Sequence, residues 1–121
     1  MIAGFFNAIM DVLRYRYKTS IFNNFKNPKI LDWVNPSQAN DNKWKNGDAN
    51  QGEKFFGSST FLVWLTDLWH FSKMMMLILI MLAVVFYNPW TPILLLDAFI
   101  YLLTFTIIFE LSFRYFLIGG N

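Results

Sequence analysis

The longest apolar stretch of the chain runs from position 58 to position 87 and predicts one long helix. Its second half, Met74 to Tyr87, consists of apolar and aromatic residues, whereas its first half carries Asp67, His70 and Lys73. At 1.5 Å per residue this helix would be about 45 Å long, enough to cross the ~30 Å hydrocarbon layer of a membrane. The pattern therefore predicts a transmembrane helix with a polar stripe at one end.

A second apolar stretch, from Ile93 to Ile118, predicts another spanning helix. A turn with two prolines, Asn88 to Pro92, separates it from the first stretch. Such a short connection places the two helices antiparallel. We therefore predict an all-α membrane protein in which residues 58–121 form a two-span transmembrane helical hairpin.

The sequence also predicts where these two helices begin and end. Ser58 or Ser59 is the predicted N-cap of the first helix, which then spans about Ser59–Tyr87. The second helix is predicted over about Pro92–Ile118, because proline suits a first helical turn and Gly119-Gly120 suits a stop.

Residues 1–22 predict a shorter amphipathic helix. Asn7, Asp11, Arg14 and Lys18 recur at intervals of three or four, which places them on one face. The apolar run is too short to span a membrane, and the basic residues follow it, unlike in a signal peptide. We predict a helix lying in the membrane interface. The alternative is a short half-membrane helix packed against the other two.

Residues 23–57 form a polar middle region. Pro28 and Pro36 are expected to break helices here, and the glycines suit turns. Trp33 and Trp44 argue against a disordered linker, since such linkers are poor in aromatic residues. The predicted structure is an ordered, aromatic-containing loop over the membrane surface.

Five ionisable residues form a predicted polar intramembrane cluster. In an antiparallel hairpin, Asp67, His70 and Lys73 of the first helix lie at the depth of Glu110 and Arg114 of the second. Glu110 precedes Arg114 by four, the favourable spacing for an ion pair within one helix. We favour an ion-pair network, in which Asp67 meets Arg114 and Glu110 meets Lys73 or His70, because pairing lowers the cost of charge near lipid.

The alternative for this cluster is a metal site. Asp67, His70 and Glu110 are candidate ligands of suitable chemistry, and Asp11 could add a fourth. Lys73 and Arg114 in the same layer would repel a metal ion, so no cofactor is expected. Asp97 stands apart from the cluster, near the other side of the membrane.

Charge and composition place the chain relative to the membrane. With a net charge of +2 and no cysteine, the sequence does not favour nucleic-acid binding or thiolate chemistry. All lysines and arginines precede Met74 except Arg114, so the loop and the C-terminus are predicted to be cytoplasmic. The predicted interface anchors are Trp64 and Trp69 on the inner side and Trp90 on the outer side.

Three segments resemble a family of small bacterial membrane proteins without assigned function: residues 42–48, 57–61 and 66–70, with the sequences NKWKNGD, GSSTF and TDLWH. The resemblance covers most of the chain before Phe71 and implies an integral protein of the bacterial inner membrane. It implies no activity and no catalytic residue.

The sequence favours a non-enzymatic role as an accessory or structural subunit, which packs its apolar helices against a larger membrane protein complex. The expected partners are the lipid bilayer and a membrane protein or further copies of the chain. One alternative is a membrane-embedded metal-dependent hydrolase acting on lipid, centred on Asp67, His70 and Glu110. Another is a homo-oligomeric pore or membrane effector, for which Tyr101, Thr104 and Thr106 offer a partial polar stripe.

Overall fold

A computed structural model describes residues 2–118, which form five α-helices joined by short 3₁₀ segments and turns. The helices are α1 (Ile2–Tyr15), α2 (Pro28–Val34), α3 (Ala39–Lys43), α4 (Leu68–Val85) and α5 (Leu94–Leu111). Over residues 2–118 the only β pairing consists of two isolated bridges. The predicted all-α class is therefore confirmed, while the predicted Gly119-Gly120 stop lies outside the described residues.

Two helical stretches, Leu68–Val85 and Leu94–Leu117, are long and apolar enough to cross a membrane. In the most apolar 18-residue window of each stretch, only 11% and 6% of the residues are buried within the protein. A core helix of a soluble domain would be mostly buried, because burial is what removes its apolar surface from water. The two predicted apolar helices are thus present, and they keep most of their apolar surface exposed.

The first long helix starts nine residues later than predicted. Asp67 is its N-cap, with an extended backbone and a carboxylate that accepts a hydrogen bond from the backbone N–H of His70. The predicted caps are engaged elsewhere: the Ser58 hydroxyl donates to the Lys43 carbonyl, and the Ser59 hydroxyl donates to Glu53. Aspartate is as good an N-cap as serine, so the tertiary contacts of the two serines decide where the helix starts.

The second long helix, α5, continues past Leu111 as a π-helical turn, Ser112–Leu117. Ile118 then pairs with Ser20 in an isolated antiparallel bridge. The described helical stretch, Leu94–Leu117, agrees closely with the predicted second span.

Helix α1 packs against both α4 and α5, which hardly touch each other. Its buried face consists of small and aliphatic residues, namely Ala3, Gly4, Ala8, Ile9, Val12 and Leu13. A small residue every fourth position lets helices approach closely. This packing agrees with the alternative prediction for residues 1–22, in which a short helix packs against the two long ones. A location of α1 in the membrane interface stays a prediction.

The polar middle region contains helices where none was expected. Pro28 and Pro36 begin helical segments instead of breaking them, because the first helical position needs no N–H donor. Asn27 and Asn35 cap these segments through their side-chain oxygens, which accept from backbone N–H groups two residues later. The region connects to the long helices through Trp33, whose indole N–H donates to the Leu65 carbonyl at 3.1 Å.

Candidate functional site

The predicted polar cluster divides into separate groups. The first is centred on Asp67, a residue that is only 2% exposed. Both of its carboxylate oxygens lie close to Nδ1 of His70, at 2.7 and 2.9 Å, and the Thr66 hydroxyl donates to one of them at 2.9 Å. Asp67 thus caps α4 and orients the imidazole of the next turn.

Burial and hydrogen bonding act on Asp67 in opposite directions. Burial alone would raise its pKa, but the hydrogen bonds from His70 and Thr66 outweigh that effect. The pKa of Asp67 therefore lies below its ordinary value, and the group is a carboxylate at neutral pH.

The second group is the pair of Glu110 and Arg114, four residues apart on the C-terminal part of the second span. Both side chains are largely exposed, so the pair contributes little to stability. Throughout residues 2–118, the salt bridges are this pair and that of Asp67 with His70. The predicted cross-helix pairs, Asp67 with Arg114 and Glu110 with Lys73 or His70, are wrong.

The distance of each residue from the turn could not by itself predict these partners. Helix α1 packs against both apolar helices, which make few contacts with each other. Lys73 instead lies over the ring of Trp69, with Nζ at 5.4 Å from its centroid, as in a cation–π contact.

A metal centre is not formed by the described residues. Across residues 2–118 no three His, Cys, Asp or Glu side chains converge closely enough to hold an ion. Of the candidate ligands, Asp67 and His70 lie together, whereas Glu110 is paired with Arg114. Asp11 borders a different recess of about 450 Å³, lined also by Arg16, Glu110 and Arg114.

The Asp67–His70 pair has one chemical feature of a catalytic dyad, because a carboxylate on Nδ1 orients the imidazole as a base. A nucleophile or water-activating group would have to meet the other ring nitrogen. Within the described part of the chain, the hydrogen bonds of the His70 side chain all go to Asp67. The geometry accounts for a helix cap and offers no reacting partner.

Two of the three residues of the predicted polar stripe on α5, Thr104 and Thr106, form hydrogen bonds within their own helix. The hydroxyls of Thr104 and Thr106 donate to the carbonyls of Ile100 and Leu102, one turn earlier. Hydroxyls bonded in this way do not present their donors to a pore.

The three tryptophan anchors lie at the two ends of α4. Trp64 and Trp69, at its start, are half-buried, and Trp64 packs against Phe71. Trp90, in the turn after α4, is 69% exposed and packs against Tyr101. Indole rings at both ends of an apolar helix suit the two interfaces of a membrane.

The turn between the long helices is organised by Asp97, a residue for which the sequence predicted no role. Asp97 is 1% exposed and accepts three hydrogen bonds. The donors are the Tyr87 hydroxyl at 2.7 Å and the backbone N–H groups of Trp90 and Thr91 at 3.0 and 3.1 Å. An acidic side chain in the first turn of a helix can accept hydrogen bonds from backbone N–H groups that precede the helix, as in a capping box. The position of Asp97 in the first turn of α5 is therefore the sequence signal from which its role could have been predicted.

An open apolar cleft of about 850 Å³ separates α4 from α5 on the side of this turn. Ile2 and Ala3, at the start of α1, also line the cleft. Ala83 of α4 and Ala98 of α5 are among the residues that line it. The cleft is therefore apolar, accessible from the side, and partly lined by small residues.

Comparison with protein-family models, with curated proteins and with solved structures gives no match to this chain. The resemblance to small bacterial membrane proteins consequently stays an expectation.

Proposed function

We propose that this protein is a small integral membrane protein that acts as a non-enzymatic accessory subunit of a larger membrane protein complex. Its two apolar stretches cross the bilayer, with the polar middle region and the C-terminus in the cytoplasm. The exposed apolar surface supports the membrane location. The clustering of Lys and Arg at one end of the spans supports the orientation.

The observation that carries the subunit role is the open cleft between α4 and α5. Helices associate in lipid through close van der Waals packing, and small residues let a partner helix approach. Ala83 and Ala98 supply such positions on the two walls of the cleft. A transmembrane helix of a partner protein is the occupant that fits this shape.

The two alternatives receive less support from the described residues. A metal-dependent hydrolase would need Asp67, His70 and Glu110 to converge, and Glu110 lies with Arg114 instead. A pore would need a polar stripe along a span, and the hydroxyls of Thr104 and Thr106 are bonded to their own helix.

The subunit role is tested by solubilising native membranes in mild detergent and measuring the size of the complex that contains the tagged protein. We expect one partner at fixed stoichiometry in the wild type. Ala83→Phe, in the cleft, should release that partner. Val85→Phe is the matched control, because Val85 is 72% exposed and lies outside the cleft lining.

Other outcomes of this experiment favour other functions. A complex built only from copies of this chain would favour the homo-oligomer. A protein that migrates alone before and after crosslinking would overturn the subunit role.

A further inference from the structure

The basic residues of this protein are concentrated in one segment. Five of the ten Lys and Arg residues lie between positions 14 and 29, where no acidic residue occurs. They are Arg14, Arg16, Lys18, Lys26 and Lys29, and all five side chains are exposed. Among the salt bridges of residues 2–118, none involves these five. The segment therefore presents five positive charges, none of which is held in a salt bridge within the described part of the chain.

Large apolar side chains are exposed in the same segment. Tyr15 is 66% exposed, Ile21 41%, Phe25 40% and Ile30 43%. In water such exposure is unfavourable, whereas at a membrane interface apolar side chains enter the boundary between headgroups and acyl chains. Charge alone would suit many anionic partners, but charge interleaved with exposed apolar groups suits a lipid surface.

The fold places this basic segment, residues 14–30, at one end of the apolar helices. Ser20 pairs with Ile118, directly after the second span. Trp33, just beyond the segment, bonds to Leu65, three residues before α4. The segment is thus held at the level where both spans meet the polar part of the molecule. The opposite end carries no such charge, since positions 74–113 contain no Lys or Arg.

We propose that the basic segment is a binding surface for the headgroups of anionic phospholipids in the leaflet that surrounds it. The guanidinium and ammonium groups bind phosphate oxygens, and the exposed apolar side chains insert between the acyl chains beneath. This inference rests on the proposed membrane location of α4 and α5, and it is independent of the subunit role.

The test uses the full-length protein in vesicles of equal parts phosphatidylcholine and phosphatidylglycerol. The protein is extracted in mild detergent, and the lipids that remain bound are quantified by mass spectrometry. We expect phosphatidylglycerol to be enriched by about fivefold or more, the effect of roughly one basic side chain near an anionic surface. The enrichment should fall at 1 M salt, where the screening length is about 3 Å.

A matched pair of triple variants locates the site. Lys18→Gln, Lys26→Gln and Lys29→Gln together should bring the bound lipid close to the composition of the vesicle. Lys43→Gln, Lys45→Gln and Lys54→Gln remove the same charge from the polar loop and should retain the enrichment. Circular dichroism of both variants checks that the helices are intact.

Different outcomes would contradict the headgroup site and the membrane location on which it rests. Release of the wild-type protein from vesicles by alkaline carbonate would overturn the membrane location itself. An inserted protein without enrichment, or an equal loss in both triple variants, would overturn only the headgroup site.

Discussion

Gly4 of α1 lies directly against the backbone of α5: a Cβ atom at Gly4 would stand 2.7 Å from the carbonyl oxygen of Phe105. A carbon and an oxygen atom cannot approach so closely, and the obstacle is backbone, which moves only with its helix. The absence of a side chain at this position therefore sets how closely α1 approaches α5.

Gly4→Ala should consequently destabilise the protein. In an unconstrained helix this change stabilises by up to about 1 kcal/mol, since alanine is the better helix former. Here the added methyl group forces α1 away from α5, and overpacking of this kind costs about 1–3 kcal/mol. Thermal unfolding in detergent measures the result. A higher melting temperature than that of the wild type would contradict the close contact.

Asp97 should be essential to the turn between the long helices. Asp97→Ala removes the acceptor of the Tyr87 hydroxyl and of the backbone N–H groups of Trp90 and Thr91. We expect a clear fall in melting temperature. The matched control is Glu110→Ala, which removes a carboxylate from the same helix at an exposed ion pair and should have a much smaller effect. The opposite order would show that the turn does not depend on Asp97.

Asp67 should make stability depend on pH in the acid range. Its pKa in the folded protein is below the ordinary 3.8, so its stabilising contribution is complete above that value. The contribution is lost as the pH falls through the lowered pKa of the folded state. Asp67→Asn is the control, because asparagine is also a good N-cap but does not titrate. The gap in melting temperature between wild type and variant should shrink below about pH 4; a constant gap would contradict the assignment.

Ser72 should tolerate removal of its hydroxyl. The side chain is fully buried and its Oγ has no hydrogen-bond partner among residues 2–118. Ser72→Ala removes an unpaired buried polar group, so we expect a neutral effect or a stabilisation of about 1 kcal/mol. Ser72→Leu should destabilise, because the site has no room for a larger side chain. Loss of stability in Ser72→Ala would contradict the expectation that this buried hydroxyl is unpaired.

The proposed topology is tested by single cysteines at Asn50 and Thr91, which introduce the only thiols in the chain. A membrane-impermeant reagent applied to oriented vesicles should label one position from one side and the other position from the opposite side. Labelling of both positions from the same side would contradict two spanning helices.

Asp67, His70 and Lys73 were expected to meet Glu110 and Arg114 because their distances from the turn match. The observed partners are instead local, three or four residues apart on one helix. Position along a helix can be predicted from the sequence, but contact across helices depends on how the helices pack, and α4 and α5 pack mainly against α1.

By itself, the sequence determined the all-helical class, the two apolar stretches and the approximate limits of the second span. These properties follow from runs of apolar residues and from proline in the turn, which act over short distances along the chain. Only the tertiary structure decided that α4 begins at Leu68, because hydrogen bonds to Lys43 and Glu53 engage Ser58 and Ser59. It alone decided that α1 packs against both long helices, because that packing depends on the close approach of Gly4 to the Phe105 backbone, a contact between residues far apart in the chain.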